Sequence, residues 1–329
     1  MKVVVTGGAG FIGSHLTELL LNEKHQVTVI DNFSTGRLEN LSHLTENPNL
    51  KIVNLDISKN CDDLIPHLES VNCVFHLAAL ADIVPSINRP LDYHKSNVEG
   101  TVNLLEACRF SGVKKLIYTA SSSCYGIPKI YPTPEIAEKN PQYPYALTKY
   151  IGEQYAFHWA KLYGLEVVSL RLFNVYGPRS RTSGTYGAVF GVFLAQKIKN
   201  CPFTVVGSGE QTRDFVFVKD VARAFYLAAQ STVKSDVFNV GTSKPQSINR
   251  LVDLLGGEKV HLPQRPGEPD CTCADIAKIK ESLNWEPEIS FQEGVSIMID
   301  NIDYWKNAPV WTKESIGQET KDWFKYLSK

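Results

Sequence analysis

Val3-Val4-Val5-Thr6-Gly7-Gly8-Ala9-Gly10-Phe11-Ile12-Gly13 is a β-branched run, a glycine-rich turn and the opening of an apolar stretch. It reads as a buried strand, a tight turn and a helix N-terminus. Gly7 permits the turn, Gly10 lets backbone approach a bound group, and Gly13 lets the helix pack closely on the strand. Asp31 stands 18 residues after Gly13, at the end of a second apolar run over 27–30. Strand, glycine turn, helix and a following acid together point to a dinucleotide. Its phosphates would sit on the helix N-terminus and its adenine ribose on Asp31. The spacing is G-x-x-G-x-x-G rather than G-x-G-x-x-G. A carboxylate at 31 repels a 2′-phosphate, so NAD is expected over NADP, with Arg37 nearby pulling the other way.

Outward from this unit, apolar strands are expected at 52–54, 73–77, 115–119 and 167–172, with helices at 11–21, 91–110 and 145–163. Continuously apolar strands separated by helices mean a parallel sheet covered on both faces, an α/β doubly wound fold of Rossmann type. The second half is less regular. A Gly/Pro/Arg-rich loop runs over 177–187, a helix is expected over 189–199, and 216–218 and 237–240 look like strands returning to the sheet. Residues from about 260 form a smaller mixed α/β lid, and the aromatic tail (Trp311, Trp323, Phe324, Tyr326) is expected to pack. The expected division is an NAD-binding part over 1–175, rejoined at 210–243, and a substrate-binding part over 176–209 and 244–329.

Composition narrows the partners. Lys plus Arg number 34 against 35 Asp plus Glu, a net charge of −1 over 329 residues. Nothing recommends nucleic acid or an anionic membrane. No apolar run approaches the length of a membrane span. Met1-Lys2 leads directly into a strand, so no cleavable signal is expected and the protein reads as cytoplasmic. Seven scattered cysteines suit a reducing compartment. Cys271-Thr272-Cys273 is a poor zinc spacing, and no metal site is expected.

Around the cofactor, Phe11 and Ile12 belong to the turn, Asn32 adjoins Asp31, and Asp56-Ile57 follows the third strand. Asp56 flanks the adenine or, alternatively, caps a turn. Leu77-Ala78-Ala79 follows the fourth strand, and the two alanines are small enough for backbone to lie along the cofactor. Tyr145 and Lys149 stand one helical turn apart in Tyr-Ala-Leu-Thr-Lys. A free phenol has a pKa of about 10, too high for a base at neutral pH. The ammonium of Lys149, with the positive charge of an oxidised nicotinamide, favours the phenolate, and a three-unit drop corresponds to roughly 4 kcal/mol.

With these motifs in place, the chain resembles the extended short-chain dehydrogenase/reductases, specifically the nucleotide-sugar epimerases and dehydratases. Eight segments carry the resemblance in order: T-G-G-A-G-F-I-G (6–13), D-N-F-S-T-G-R (31–37), H-L-A-A (76–79), S-S-S-C-Y-G (121–126), Y-P-Y-A-L-T-K (143–149), R-L-F-N-V-Y-G-P-R (171–179), Q-T-R-D-F (211–215) and R-P-G-E (265–268). The resemblance implies that Ser121 hydrogen-bonds the sugar hydroxyl and shares its proton with Tyr145, and that Ser123 is a second sugar contact. It places Asn97 near the cofactor and Phe173 beside the nicotinamide. It gives Asn174 to the substrate diphosphate, Arg213 and Arg265 to its clamp, and Glu268 to the substrate ribose, where the family more often has Asp. Surface salt bridges for the arginines and a solvated turn for Glu268 are the alternatives. A homodimer through helices near 91–110 and 145–163 is also implied.

The resemblance bears on the reaction too. Dehydratases of the family carry an Asp-Glu pair where this chain has Ser122-Ser123, and sugar-acid decarboxylases carry a glutamate at 123 and an arginine near 272. Two hydroxyls cannot replace two carboxyls as acid and base at neutral pH. What remains is NAD-dependent C4 epimerisation of a UDP-sugar. The position of Thr272 is tyrosine where only plain hexoses are accepted and small where N-acetyl sugars are, so UDP-N-acetylglucosamine/galactosamine is expected, with UDP-glucose/galactose alongside. The alternatives are a dehydratase, a decarboxylase, a UDP-uronic acid 4-epimerase, another nucleotide base, and a non-catalytic dinucleotide-sensing protein.

Overall fold

The computed structural model describes residues 1–180 and 188–328. Its centre is a parallel sheet of seven strands: β1 (Lys2–Thr6), β2 (Gln26–Asp31), β3 (Leu50–Asn54), β4 (Cys73–His76), β5 (Lys115–Ser121), β6 (Glu166–Leu172) and β7 (Ser235–Val240). The strand order is β7-β6-β5-β4-β1-β2-β3, every pair parallel. The order reverses between β1 and β4, where the crevice beyond the strand ends opens.

Alternation along β1 assigns the two faces. Val3 and Val5 pack with Leu16 and Leu20 of α1 (Phe11–Asn22), while Val4 packs with Leu104 and Leu105 of α2 (Gly100–Phe110). Helix α3 (Pro144–Tyr163) adds Ala156 to the second face, and α4 (Val218–Gln230) adds Val221 and Phe225 to the first. The helix expected over 91–110 is unbroken but not uniform. Pro90–His94 is α-helical, Lys95–Glu99 forms one wider π turn, and α2 follows.

One expectation fails. Residues 216–218 do not return to the central sheet. Phe215–Phe217 pairs instead with Asn174–Tyr176 as a separate two-stranded ribbon, and Val218 already opens α4. The edge of β6 is taken by β7, so the earlier strand has no place there. The ribbon's Phe215, Phe217 and Tyr176 belong to a second core with Phe190, Phe193, Leu251, Trp305 and Trp323. The expected 189–199 helix spans Val189–Ile198. Of the 177–187 loop, 181–187 lie outside the described residues. No helix among the described residues is long and apolar enough to cross a membrane.

Candidate active site

A cavity of about 650 Å³ lies beyond the carboxyl ends of the strands, between the sheet and the second core. The glycine turn forms its floor. A Cβ at Gly7, whose φ is +70°, would stand 2.7 Å from the backbone N of Ala78, and one at Gly13 would stand 2.2 Å from Gly7 O. The turns after β1 and β4 therefore meet with no room for side chains. No side chain caps the first turn of α1. Bare backbone and a helix N-terminus in one crevice form a cradle for a diphosphate. The residues present fit NAD.

At the ribose end, Asp31 Oδ2 accepts the N–H of Ala9 at 3.0 Å and Oδ1 that of Phe33 at 2.8 Å. Burial pushes its carboxyl up from the usual range while those two bonds pull it down. Asn32, Asp56 and Ile57 line the same wall. Asp56 also caps its turn, accepting from Ser58 N and Oγ at 3.0 and 2.7 Å. Ser34, Thr35 and Arg37 line this end as well. They sit inside a quoted motif, and that was the available signal for them.

Phe11, Ile12, Gly10, Leu77, Ala78, Ala79 and Phe173 line the cavity as expected. Asn97 does not. It is buried, and its side chain accepts from Leu80 N at 2.8 Å and donates to Leu80 O at 3.0 Å and Thr148 Oγ1 at 3.0 Å. It ties the loop after β4 to α3, a fixed scaffold behind the cavity rather than a wall of it.

The reacting end is built by β5 and α3. Ser121 ends β5, and its Oγ donates to Ser123 Oγ at 2.9 Å and accepts from Ser123 N at 3.2 Å. Tyr145, in the first turn of α3, shares a hydrogen bond with Ser121. Burial raises the Tyr145 phenol above its ordinary value, and the Ser121 bond opposes this. Lys149 is 3% exposed, its Nζ 4.6 Å from the centre of the Tyr118 ring. Burial brings its pKa down to about 7, against an upward pull from Glu153. The low dielectric disfavours both charges, and the expected acidification of the phenol counts on the charge of an oxidised nicotinamide beside that of Lys149.

At the far end, Arg213 and Arg265 flank Glu268. Arg213 Nη2 lies 3.4 Å from Oε2 and Arg265 Nη1 lies 3.1 Å from Oε1. The arginine side chains are only 14% and 12% exposed, so neither is a surface bridge. Two guanidiniums gathered at one carboxylate present forked donors that suit a diphosphate. Asn174 and Thr272 meet on the adjoining wall. Sequence reasoning assigned no role here to Trp323, which is buried, lines the cavity, meets the Tyr143 ring at 5.9 Å in a tilted contact and donates Nε1–H to Pro266 O at 2.8 Å. It also missed Asp214. That fully buried carboxylate accepts from Thr242 N, Ser243 N and Ala274 N, stapling three loops behind the arginines.

Comparison with known proteins agrees with this geometry. Residues 3–241 match the family model described as the NAD dependent epimerase/dehydratase family. A Methanocaldococcus jannaschii protein provisionally named a UDP-glucose 4-epimerase is 38% identical over 306 residues, covering 91% of this chain and 97% of that one. The structure of a UDP-N-acetylglucosamine 4-epimerase from Methanobrevibacter ruminantium superposes with a TM-score of 0.85 at 36% identity, covering 91% of this chain and 98% of that one. UDP-glucuronic acid decarboxylase 1 of Arabidopsis thaliana is 35% identical over 312 residues, covering 92% of this chain and 69% of that protein. A dinucleotide cradle, a Ser-Tyr-Lys constellation and an anion clamp on one cavity, with a family match over most of its length, place this chain in the NAD-dependent epimerase/dehydratase family.

Proposed function

We propose that the protein is an isomerase that inverts C4 of a UDP-sugar, acting on UDP-N-acetylglucosamine/galactosamine and also on UDP-glucose/galactose. The observation that carries this reading is the hydroxyl cluster of Ser121, Ser123 and Tyr145 facing one cavity with Arg213 and Arg265. The sugar end offers hydroxyls at 121, 122 and 123, where a dehydratase or decarboxylase needs carboxyls.

NAD, when bound, supplies the reversible hydride acceptor for the sugar carbon. Tyr145 takes the C4 hydroxyl proton, with Ser121 sharing it, and Lys149 supports the developing phenolate. Arg213, Arg265 and Asn174 hold the diphosphate throughout, so the 4-keto sugar turns about that tether and presents its other face. Tyr145 then returns the proton. Strong contacts remote from C4 and weak ones beside it are what such a turn requires.

In this reading the cofactor part spans 1–175 with 210–243, and the substrate part spans 176–209 with 244–329. The chain works as a homodimer. Leu91, Leu147 and Leu162 are 80%, 46% and 56% exposed on Pro90–His94 and α3, an apolar face suited to a second copy.

The test is the product spectrum from a panel of UDP-sugars incubated without added NAD. Interconversion of the N-acetyl pair, with no net change in cofactor, is expected. Loss of water, release of carbon dioxide, or turnover confined to plain hexoses or to uronic acids overturns the reading.

A further inference from the structure

Helix α3 carries Tyr145, Lys149 and Glu153 at successive four-residue intervals, so three ionisable groups stack on one face. The chemistry above uses the first two. Glu153 is 1% exposed, and a carboxylate that deep stays ionised only when paired. Arg171 of β6 pairs it with a two-pronged grip: Nη2 reaches Oε1 at 2.6 Å and Nε reaches Oε2 at 3.0 Å. Ser169 Oγ donates to Oε2 at 2.7 Å. Arg171 Nη1 is fixed in turn by Tyr125 Oη and by the Glu135 carbonyl, each at 2.9 Å. The Tyr125 hydroxyl donates in turn to Asn239 Oδ1 at 2.7 Å.

Such a network is weak evidence for stability, because a buried ion pair is often replaced by apolar residues without loss. Its position is more telling. Lys149 is faced by the Tyr118 ring from β5, by His76 from β4, and by Glu153 from its own helix. Burial keeps Tyr118 and His76 uncharged. Among these neighbours Glu153 brings the negative charge.

We propose that Glu153, clamped by Arg171, is a positioning residue for proton transfer that favours the ammonium form of Lys149 against the pull of its buried setting. This rests on the Tyr145–Lys149 reading above. Burial alone drives Lys149 toward the free amine, and Glu153 opposes it through space. Arg171 keeps the carboxylate charged and aimed, so the field on Lys149 is permanent.

The experiment compares the pH profile of kcat for the wild-type holoenzyme, Glu153→Gln, Glu153→Asp and the double variant Glu153→Met/Arg171→Met. The alkaline limb, where the ammonium is lost, moves to lower pH by about one unit in Glu153→Gln and in the same direction in the double variant. Glu153→Asp restores it toward the wild-type position. The double variant leaves no orphaned charge and guards against misfolding of the single one. An alkaline limb unmoved in both charge-removing variants overturns the proposal, as does failure of both to fold, which would assign the pair to stability alone. A titration of 13Cε-labelled lysine, with Lys149→Met identifying the resonance, reads the same shift without turnover. It separates failure of this proposal from failure of the epimerase reading.

Discussion

The Thr272 hydroxyl donates to Asn174 Oδ1 at 2.8 Å while accepting the N–H of Asp214 at 2.9 Å. The hydroxyl's one donor and one of its two acceptor sites are used within the protein. In the proposed function Thr272 would act on substrate in two separable ways: its small volume would leave room for an acetamido group, and its hydrogen bond fixes the amide of Asn174. Thr272→Val keeps the volume and removes both bonds. It should raise KM for UDP-sugars about tenfold or more, as expected when Asn174 Oδ1 and the Asp214 N–H both lose that partner, with the ratio of N-acetyl to plain hexose turnover unchanged. Thr272→Tyr should instead abolish N-acetyl turnover and spare the plain hexoses. Steady-state kinetics on the two sugar pairs distinguish the effects.

Tyr145→Phe removes the phenol and little else. Turnover should fall by about 10³-fold, within the usual range for a lost general acid–base group, while NAD stays bound through gel filtration. A rate within tenfold of wild type would remove Tyr145 from the scheme.

Arg265→Ala and Arg213→Ala each remove half of the anion clamp and leave Glu268 beside a single partner. KM should rise by about 10²-fold or more, the scale of a broken charge-assisted contact in a half-buried site. Arg265→Lys should rescue only partly, since a point charge does not reproduce a forked donor. Calorimetry with UDP alone checks this independently of catalysis.

His76 lies between Thr6 Oγ1 at 2.8 Å and Thr101 Oγ1 at 2.9 Å, and burial, with Lys149 nearby, depresses its pKa to about 3. His15, which bonds Pro178 O, is depressed to about 4, again chiefly by burial. In the unfolded chain both take a proton near 6.5. Between that value and their folded values the unfolded state binds more protons, so stability falls as pH falls. Each histidine contributes a slope of about 1.4 kcal/mol per pH unit within its window. Urea denaturation from pH 7 to 4.5 should show the decline, and His76→Asn should flatten it.

Leu91→Asp and Leu162→Asp place charges on the apolar face of the helices read as the dimer seam. Sedimentation should show a dimer for the wild type and a monomer for the double variant, with the sheet intact by circular dichroism. A wild-type monomer would remove the homodimer from the scheme.

Much of this was legible in the chain itself, because it is written at short range. The glycine turn, Asp31 and the Tyr145–Lys149 interval are local patterns, and backbone sterics and helix periodicity give them one reading. The β-branched runs located all seven strands of the sheet, and only the run at 216–218 misled. Its residues are as apolar as those of β7, and an apolar pattern does not say which of two cores it will join. The turning away of Asn97 to the Leu80 backbone, the seating of Glu268 between two arginines, the spending of the Thr272 hydroxyl on Asn174, and the closure of the cavity by Trp323 were decided only in three dimensions. Arg171 and Glu153 lie on neighbouring elements, but only the packing of α3 on β6 aims one at the other. Hydrogen-bond direction and burial depend on which surfaces meet, and segments far apart in the chain carry no trace of that meeting until the sheet has formed between them.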